Sequence, residues 1–264
     1  MQYEVRKVDE GSDAALSLYL HEVKEGISVI ERPLILVIPG GAYGMISERE
    51  AEPVAIAFYN MGYHAAILRY SIGEQARNLQ PMKEAAQAMK IIRKHSRQWN
   101  IIENKIAVCG FSAGGHLAAS LGVMFEEPAL CQLLPEPEIS FRPDAMILCY
   151  PVITSGKYAH RDSFYNLSGS RIDDEAAQFF SLEKRVSHTT PPVFIWHTQN
   201  DDLVPVENTL FMMNALQKAG VSCEAHIFRD GPHGMSTCTK ETDSEHKHCS
   251  RWVSLCKEWL EEIF

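Results

Sequence analysis

One serine occurs in a pattern that is typical of a catalytic nucleophile. Ser112 is the central residue of GFSAG at positions 110–114, which follows an apolar run ending at Cys109 and precedes the helix-forming run LAASL from Leu117. On a tight strand-to-helix turn, a serine projects its hydroxyl off the sheet, and the helix N-terminus places amides and a positive dipole end beside it. The pentapeptide alone is a weak signal, but its position between strand and helix predicts a nucleophile rather than a helix cap.

Two aspartates and a histidine follow this serine in the order that its activation requires. A serine hydroxyl is a poor nucleophile at neutral pH, so it needs a histidine base that a carboxylate orients, and the expected chain order is serine, acid, histidine. Asp201 and Asp202 follow the apolar run 193–197, and His233 follows the run 224–228, between a proline and a glycine. His233 is therefore the predicted base. Either aspartate can be the acid, because only one of two adjacent side chains can face the histidine.

A glycine-rich turn supplies a third element of the same chemistry. Residues 39–44, PGGAYG, close the first long apolar run at 34–38. Backbone N–H groups of such a turn, together with the amide after the nucleophile, can bind the oxyanion of a tetrahedral intermediate, and losing one donor costs ~3 kcal/mol of activation free energy. We therefore expect an oxyanion hole between this turn and the turn that carries Ser112.

Apolar runs alternate with helical patterns along most of the chain, and these elements must position the candidate residues. The predicted strands cover residues 34–38, 64–70, 105–109, 145–150, 193–197 and 224–228, and helical patterns begin at Pro81, Val206 and Glu245. Such alternation predicts an α/β fold, with a mostly parallel sheet and helices on both of its faces. Two shorter strand-like pieces, near 3–8 and 16–21, predict an antiparallel hairpin at one sheet edge.

One long irregular segment interrupts this alternation. Residues 154–190 mix glycine, serine, histidine and charged residues, with a short helix candidate at 173–180. Loops of this length inside compact domains are often binding loops or lids. We therefore expect a single domain over residues 1–264 that contains a lid-like substrate segment at 154–190.

The composition argues against several classes of function. The chain has 264 residues, enough for a sizeable core, and a net charge of −9, which gives no electrostatic basis for binding nucleic acid. No apolar stretch approaches the ~20 residues of a membrane-spanning helix, and the N-terminus does not resemble a signal peptide. Seven cysteines, three of them inside predicted strands, indicate buried free thiols and a cytoplasmic location.

The remaining expectations from the residues concern ligands and partners. Possible metal ligands crowd one segment after the histidine loop: Cys238, Asp243, His246, His248 and Cys249. On a helix the two histidines would point about 200° apart, which is poor for chelation, so we interpret the segment as a polar loop and expect no metal and no cofactor. The apolar face of the last helix and the edge hairpin could each form a homodimer interface, or equally belong to the core.

Taken together, the motifs resemble those of α/β-hydrolases of the esterase/lipase superfamily. The chain is most similar to the small bacterial carbohydrate-esterase-like group of acetyl-xylan and feruloyl esterase-like proteins. The resemblance covers nearly the whole chain and rests on PGGAY at 39–43, GFSAGGHLA at 110–118, PPVFIWHT at 191–198, DDLVPVEN at 201–208 and FRDGPHG at 228–234. It implies an α/β-hydrolase fold with about eight strands.

The resemblance also implies roles for particular residues. In such enzymes the catalytic acid stands four residues before the proline of a Val-Pro pair, and here that position is Asp201 rather than Asp202. The oxyanion amides would be those of Gly41, Ala42 and Ala113. The residues alone do not choose between the two aspartates, nor do they say which amides of the glycine-rich turn bind the oxyanion.

Residues close to these motifs are placed by loop position alone. The usual motif opens with histidine where this chain has Pro39, but the donors are backbone groups further along, so we expect the hole to form with altered support. Tyr43 and Met45 are expected near the acyl pocket. His116, two residues past the GFSAG turn, is a candidate for contact with substrate, whereas His197 lies inside an apolar run and is typical of a core histidine.

The residues and the resemblance predict a carboxylic ester hydrolase in which Ser112, His233 and Asp201 form a triad that passes through an acyl-serine. The resemblance implies short acyl groups, acetate foremost, and small-molecule substrates such as acetylated sugars or xylo-oligosaccharides. Peptidases of the prolyl-oligopeptidase type and formamidases use the same triad, so amide hydrolysis is an alternative. A non-catalytic binding module with a hydrolase fold is another, although such proteins usually lack a triad member.

Overall fold

One mixed sheet forms the centre of the fold. The computed structural model describes residues 1–169 and 175–264, and within them eight strands form this sheet. In chain order they are β1 (Gln2–Lys7), β2 (Ala15–Leu20), β3 (Arg32–Ile38), β4 (His64–Arg69), β5 (Ile101–Phe111), β6 (Ala145–Cys149), β7 (Val193–Thr198) and β8 (Cys223–Phe228). Their order across the sheet is β1-β2-β4-β3-β5-β6-β7-β8. The strand β2 pairs antiparallel with β1 and with β4, and the other pairs are parallel, so the predicted sheet and its edge hairpin are confirmed.

Helices cover both faces of the sheet. In the described residues they are α1 (Glu52–Asn60), α2 (Gln80–Lys94), α3 (Ser96–Trp99), α4 (Ala113–Val123), α5 (Pro128–Cys131), α6 (Arg161–Ser168), α7 (Glu175–Gln178), α8 (Glu207–Ala219) and α9 (Trp252–Ile263). The helices α2, α4 and α8 pack into one core, and α1 and α9 pack into the other. No helix in this part of the chain is long and apolar enough to cross a lipid bilayer.

The central strands contribute to both cores, which explains their continuous apolar sequences. Successive side chains of a strand point to opposite faces of the sheet. In β3, Leu34 and Leu36 therefore lie in the core with α2 and α4, whereas Ile35 and Val37 lie in the core with α1 and α9. A strand buried on both faces needs apolar residues at every position, as the run 34–38 has.

The last helix begins later than the sequence pattern predicted. The expected start was Glu245, but α9 starts at Trp252. Before it, side chains bond to nearby backbone, as where the Cys249 N–H donates to His246 Nδ1 at 3.3 Å, and such local bonds compete with helix formation. Of the short helix predicted at 173–180, α7 forms the middle, and residues 173 and 174 lie outside the described residues.

The parallel strands bring distant segments to one edge of the sheet. The strands β3, β5, β6, β7 and β8 are neighbours and run in the same direction, so their carboxyl ends lie together. The glycine-rich turn follows β3, Ser112 follows β5, the two aspartates follow β7, and His233 follows β8. In open α/β sheets this edge is where ligands bind.

Candidate active site

Ser112 lies in a strained turn between β5 and α4. Its φ of +52° and ψ of −119° are unfavourable for a residue other than glycine. The Ser112 N–H donates to the Cys149 carbonyl and the Ser112 carbonyl accepts from the Val152 N–H, each at 3.0 Å, so the segment after β6 holds the turn on both sides. A Cβ atom at Gly114 would lie 2.2 Å from the Ile38 carbonyl oxygen, which explains why the turn needs glycine there. The hydroxyl is thereby fixed at the sheet edge.

Three of the predicted residues form one hydrogen-bonded chain. The distance from Ser112 Oγ to His233 Nε2 is 2.8 Å, and that from His233 Nδ1 to Asp201 Oδ2 is 2.7 Å. An ionised carboxylate can only accept, so the imidazole carries its proton on Nδ1, and Nε2 accepts from the serine hydroxyl. Asp202 is exposed. The structure therefore brings Asp201, rather than its neighbour, to the histidine.

Asp201 is buried but well supplied with hydrogen-bond donors. Its Oδ1 accepts the N–H groups of Leu203 and Val204 at 3.0 and 2.9 Å, and its Oδ2 also lies 3.2 Å from His197 Nε2. Burial alone would raise the pKa of this carboxyl, but the hydrogen bonds from His197 and His233 and the attraction of His233 outweigh it and hold the pKa well below its usual range. Asp201 is therefore a carboxylate suited to orienting an imidazole.

Hydrogen bonds in the glycine-rich turn set the direction of its amides. In a trans peptide the carbonyl and the following N–H point in opposite directions. The Gly40 carbonyl accepts from the Ser47 N–H at 3.0 Å, so the Gly41 N–H points the other way. The Gly41 carbonyl accepts from the amides of residues 44 and 45, at 2.9 and 3.0 Å, which directs the Ala42 N–H away from that turn. Gly41 and Ala42 both line the cleft over the serine.

The third predicted amide and the support of the turn complete this arrangement. Ala113 is the first residue of α4, so its N–H has no partner within the helix. At the start of the glycine-rich turn, the Tyr70 hydroxyl donates to the Pro39 carbonyl at 2.7 Å, and the Gly40 N–H donates to Glu50 at 3.0 Å. These two contacts support the turn at the position where related motifs carry histidine.

Two residues expected near the substrate lie beneath the site instead. Tyr43 and His116 are both fully buried, and neither lines the cleft. The φ of Tyr43 is +57°, and its hydroxyl donates to His116 Nδ1 at 2.8 Å. His116 Nε2 donates to the Phe180 carbonyl at 2.9 Å, and burial lowers the pKa of His116 to about 4. The expectation of direct substrate contact is therefore corrected: this neutral histidine joins the glycine-rich turn to the segment 154–190.

An open cleft of about 650 Å³ gives access to the serine. Its lining combines the candidate catalytic groups with polar and apolar side chains: Gly41, Ala42, Met45, Ser47, Glu48, Arg49, Glu50, Ser112, His160, Asp162, Leu203, His233 and Gly234. His160 and Asp162 come from the segment 154–190. A larger surface groove of about 800 Å³, between residues 183–188 and α8, contains none of the triad residues, so size alone does not locate the site.

Sequence reasoning missed several residues that support or line this cleft. Glu50 is only 2% exposed, although the polar stretch 47–53 looks like the exposed start of a helix. His160 lines the cleft with its Nδ1 2.9 Å from Ser163 Oγ, and the polar character of 154–190 was the available signal. His197 is buried, as expected, but it also contacts Asp201, and its position four residues earlier was the signal for that.

The cysteines after the histidine loop bind backbone carbonyls. Cys249 Sγ donates to the Asp230 carbonyl at 3.4 Å, and Cys238 Sγ lies 3.8 Å from the Ser236 carbonyl. Burial raises the pKa of the Cys249 thiol to about 11, which favours its protonated form. Across residues 1–169 and 175–264, no group of three histidine, cysteine, aspartate or glutamate side chains is arranged to hold a metal ion.

Comparison with known protein families identifies the group to which this site belongs. A model of the BD-FAE family matches residues 16–216, which is most of the chain and includes Ser112 and Asp201. The chain belongs to the BD-FAE family. The matched region ends before His233, which the fold nevertheless brings to the other two residues.

Relatives of this family member include curated proteins and a solved structure. Endo-1,4-beta-xylanase B of Butyrivibrio fibrisolvens is 40% identical over 230 residues, and acetylxylan esterase of Xylanibacter ruminicola is 31% identical over 227. The matches cover 86% and 83% of this chain but only 35% and 45% of those proteins, so the chain spans less than half of their length. The crystal structure of an acetyl ester-xyloside bifunctional hydrolase from Caldicellulosiruptor lactoaceticus has 35% identity and a TM-score of 0.84, over 97% of this chain and 90% of that one.

Proposed function

We propose that this BD-FAE family member is a serine carboxylic ester hydrolase that removes short acyl groups, acetyl foremost, from small esters such as acetylated sugars or xylo-oligosaccharides. The observation that carries the proposal is the hydrogen-bonded chain from Ser112 through His233 to Asp201, beside a cleft that Ser112, His233, Gly41 and Ala42 line. The similarity to an acetylxylan esterase and to an acetyl ester-xyloside hydrolase supports the ester and its acyl group.

Acylation begins at the serine hydroxyl. Ser112 Oγ attacks the acyl carbon while His233 Nε2 takes the hydroxyl proton, and Asp201 stabilises the imidazolium that forms. The amides of Gly41, Ala42 and Ala113 donate to the oxyanion of the tetrahedral intermediate. When the intermediate collapses, His233 gives the proton to the leaving alkoxide, and the alcohol departs from an acyl-serine.

Deacylation repeats these steps with water as the nucleophile. His233 removes a proton from water as the water oxygen attacks the acyl-serine carbon, and the same amides hold the second oxyanion. Collapse returns the proton from His233 to Ser112 Oγ and releases the carboxylic acid. These steps use no metal and no organic cofactor.

The segment 154–190 is the proposed site of contact with the alcohol part of the ester. His160 and Asp162 line the cleft, and both carry polar groups that can bind hydroxyls. We place this segment as an insertion within one domain that covers residues 1–264. A neutral acetylated sugar matches a cleft that combines polar side chains with apolar ones such as Met45 and Leu203.

A fluorophosphonate probe tests the proposed nucleophile. We expect the wild-type protein to be labelled, and Ser112→Ala to be unlabelled while its circular dichroism spectrum and melting temperature stay close to wild type. Folded wild-type protein that resists labelling would contradict the serine-hydrolase proposal and favour a non-catalytic binding module.

A substrate panel tests the proposed bond and acyl group. Acetyl, butyryl and feruloyl esters are compared with peptide and formyl amides at equal concentration, with Ser112→Ala as the blank. We expect acetyl esters to have the highest kcat/KM. Faster turnover of amides than of acetyl esters would replace the esterase with an amidase on the same triad.

A further inference from the structure

Glu50 is a buried carboxylate beside the nucleophile that the proposed reaction does not use. It is 2% exposed. Arg69 forms its ion pair with Glu48 rather than with Glu50. A Cβ atom at Gly40 would lie 2.7 Å from Glu50 Oε2 and 3.0 Å from Ser112 Cβ, so the carboxylate and the nucleophile flank the same glycine. Burying a carboxylate without a cation destabilises a fold unless N–H or O–H groups satisfy it. Its hydrogen-bond partners therefore indicate what it does.

The two oxygens of Glu50 contact two different parts of the site. Oε2 accepts the Gly40 N–H at 3.0 Å, in the turn that precedes the proposed oxyanion amides. Oε1 accepts the Tyr150 hydroxyl at 2.8 Å, and that hydroxyl accepts the N–H of Ser236 at 2.8 Å. The Tyr150 ring lies edge-on to the His233 ring, with centroids 5.0 Å apart. One carboxyl group thus connects the glycine-rich turn to the loop that carries His233.

Three residues in or beside this hydrogen-bond network have strained backbone conformations. Ser112, Tyr150 and Ser236 have φ values of +52°, +37° and +52°, in the region that is unfavourable for residues other than glycine. Such conformations persist where surrounding contacts fix them, and they concentrate at functional sites. Ser236 is fixed further by its hydroxyl, which donates to the Arg49 carbonyl, and by its carbonyl, which accepts from Trp252 Nε1 at 2.9 Å.

We propose that Glu50 is a positioning residue that sets the oxyanion amides and the catalytic histidine relative to each other, an inference that rests on the proposed esterase function. Its bond to the Gly40 N–H fixes the 39–40 peptide, which directly precedes the two peptides that carry the amides of Gly41 and Ala42. Its bond to Tyr150 fixes the ring against which His233 packs. Glu50 touches no reacting atom and acts through the groups that bind the oxyanion and orient the imidazolium. Because both charges form in the transition state, its effect is greatest there.

A second buried carboxylate provides a matched control. Glu84 is fully buried on α2, and it accepts the N–H of Ser71 at 2.7 Å and the side-chain amide of Gln80 at 2.9 Å. It does not line the cleft. Replacing either glutamate by glutamine substitutes an amide NH₂ donor for one accepting oxygen and keeps the side-chain shape. Only Glu50→Gln makes this change between the glycine-rich turn and the loop that carries His233.

The experiment compares Glu50→Gln, Tyr150→Phe and Glu84→Gln in the full chain, below the melting temperature of each. The measurements are kcat and KM for p-nitrophenyl acetate and the dissociation constant of phenylboronic acid, which forms a tetrahedral adduct on an active serine. For Glu50→Gln we expect kcat to fall about 30-fold, KM to change less than about threefold, and boronic acid binding to weaken in parallel with kcat.

The other variants separate positioning from stability. We expect Tyr150→Phe to lower kcat about tenfold, and the double variant to lose less than the product of the two single losses, because both act on one network. Glu84→Gln is expected to lower the melting temperature while kcat stays within about twofold of wild type.

Two results would overturn the inference: wild-type kcat and boronic acid affinity in Glu50→Gln, or an equal loss of kcat in Glu84→Gln. If Glu50→Gln does not fold, Tyr150→Phe tests the inference. An unchanged kcat rejects the positioning role of the Glu50–Tyr150 contact, and a loss of kcat at constant KM supports it. Fluorophosphonate labelling separates the two proposals. A wild-type protein that is not labelled rejects the esterase function and with it this inference, whereas labelled wild type with unaffected variants rejects the inference alone.

Discussion

The two sides of the cleft are built differently. The strand-end side consists of residues 39–50, the Ser112 turn, Asp201 and His233, and the insertion side consists of the described residues of 154–190. On the strand-end side, backbone groups and buried side chains make most of the contacts, and several non-glycine residues hold positive φ values. On the insertion side, His160 is half-buried and Asp162 is exposed. Under the proposed function, we expect the strand-end side to carry out the chemistry and the insertion side to contact the alcohol part of the substrate.

Two contacts join these sides beneath the cleft. His116 accepts from Tyr43 on the strand-end side and donates to the Phe180 carbonyl on the insertion side. The Asn166 side-chain amide, from α6, donates to the Ala42 carbonyl at 2.9 Å. The insertion therefore also helps to hold the glycine-rich turn, and the predictions below test how far the two roles separate.

The largest expected effect lies on the strand-end side. Asp201→Asn removes the carboxylate that holds the proton of His233 on Nδ1, so we expect kcat for acetyl esters to fall about 10⁴-fold. Steady-state kinetics on p-nitrophenyl acetate measure this loss. The matched variant Asp202→Asn changes an exposed neighbour and is expected to stay within about threefold of wild type. A crippled Asp202→Asn enzyme would reverse the assignment of the acid.

The second effect concerns stability at the joint between the two sides. The pKa of His116 is lowered by burial to about 4, so the folded protein keeps this imidazole neutral while the unfolded chain titrates near 6.5. Its contribution to stability is therefore fully present above pH 6.5 and is lost as the pH falls towards 4, by about 3 kcal/mol. We expect His116→Gln, which does not titrate, to show a weaker fall of the free energy of unfolding between pH 7 and pH 5.

Urea denaturation at several pH values measures that slope. His188→Gln, which changes an exposed histidine of the insertion side, is measured in the same way as the matched control. A His116→Gln slope equal to that of wild type would mean that the folded and unfolded states take up protons equally at His116, so that burial does not lower its pKa.

The smallest expected effect lies on the insertion side. His160→Asn shortens a polar side chain that lines the cleft, so we expect KM for acetylated xylobiose to rise about fivefold while kinetics on p-nitrophenyl acetate stay within about twofold. The comparison of the two substrates is the measurement, with His188→Asn as a control on the same segment. Equal losses on both substrates would show that the insertion side supports the chemistry itself.

Much of the fold was accessible from the sequence because it depends on local patterns. Continuous apolar runs placed the central strands to within a few residues, since a strand buried on both faces needs apolar side chains throughout. The start of α9 was misplaced because side chains before Trp252, such as that of His246, bond to nearby backbone, which the apolar pattern does not reveal. The apolar pattern likewise does not reveal in which direction a side chain of a turn, such as that of Tyr43, points.

The sequence by itself determined the order of Ser112, an aspartate and His233 after successive strands. Parallel strands end at one edge, so that order is sufficient to expect one site. Only the tertiary structure decided the burial of Glu50 and the place of Tyr43 and His116 beneath the cleft. The physical reason is distance along the chain: Glu50 meets Tyr150 across 100 residues, and no local periodicity records such a contact.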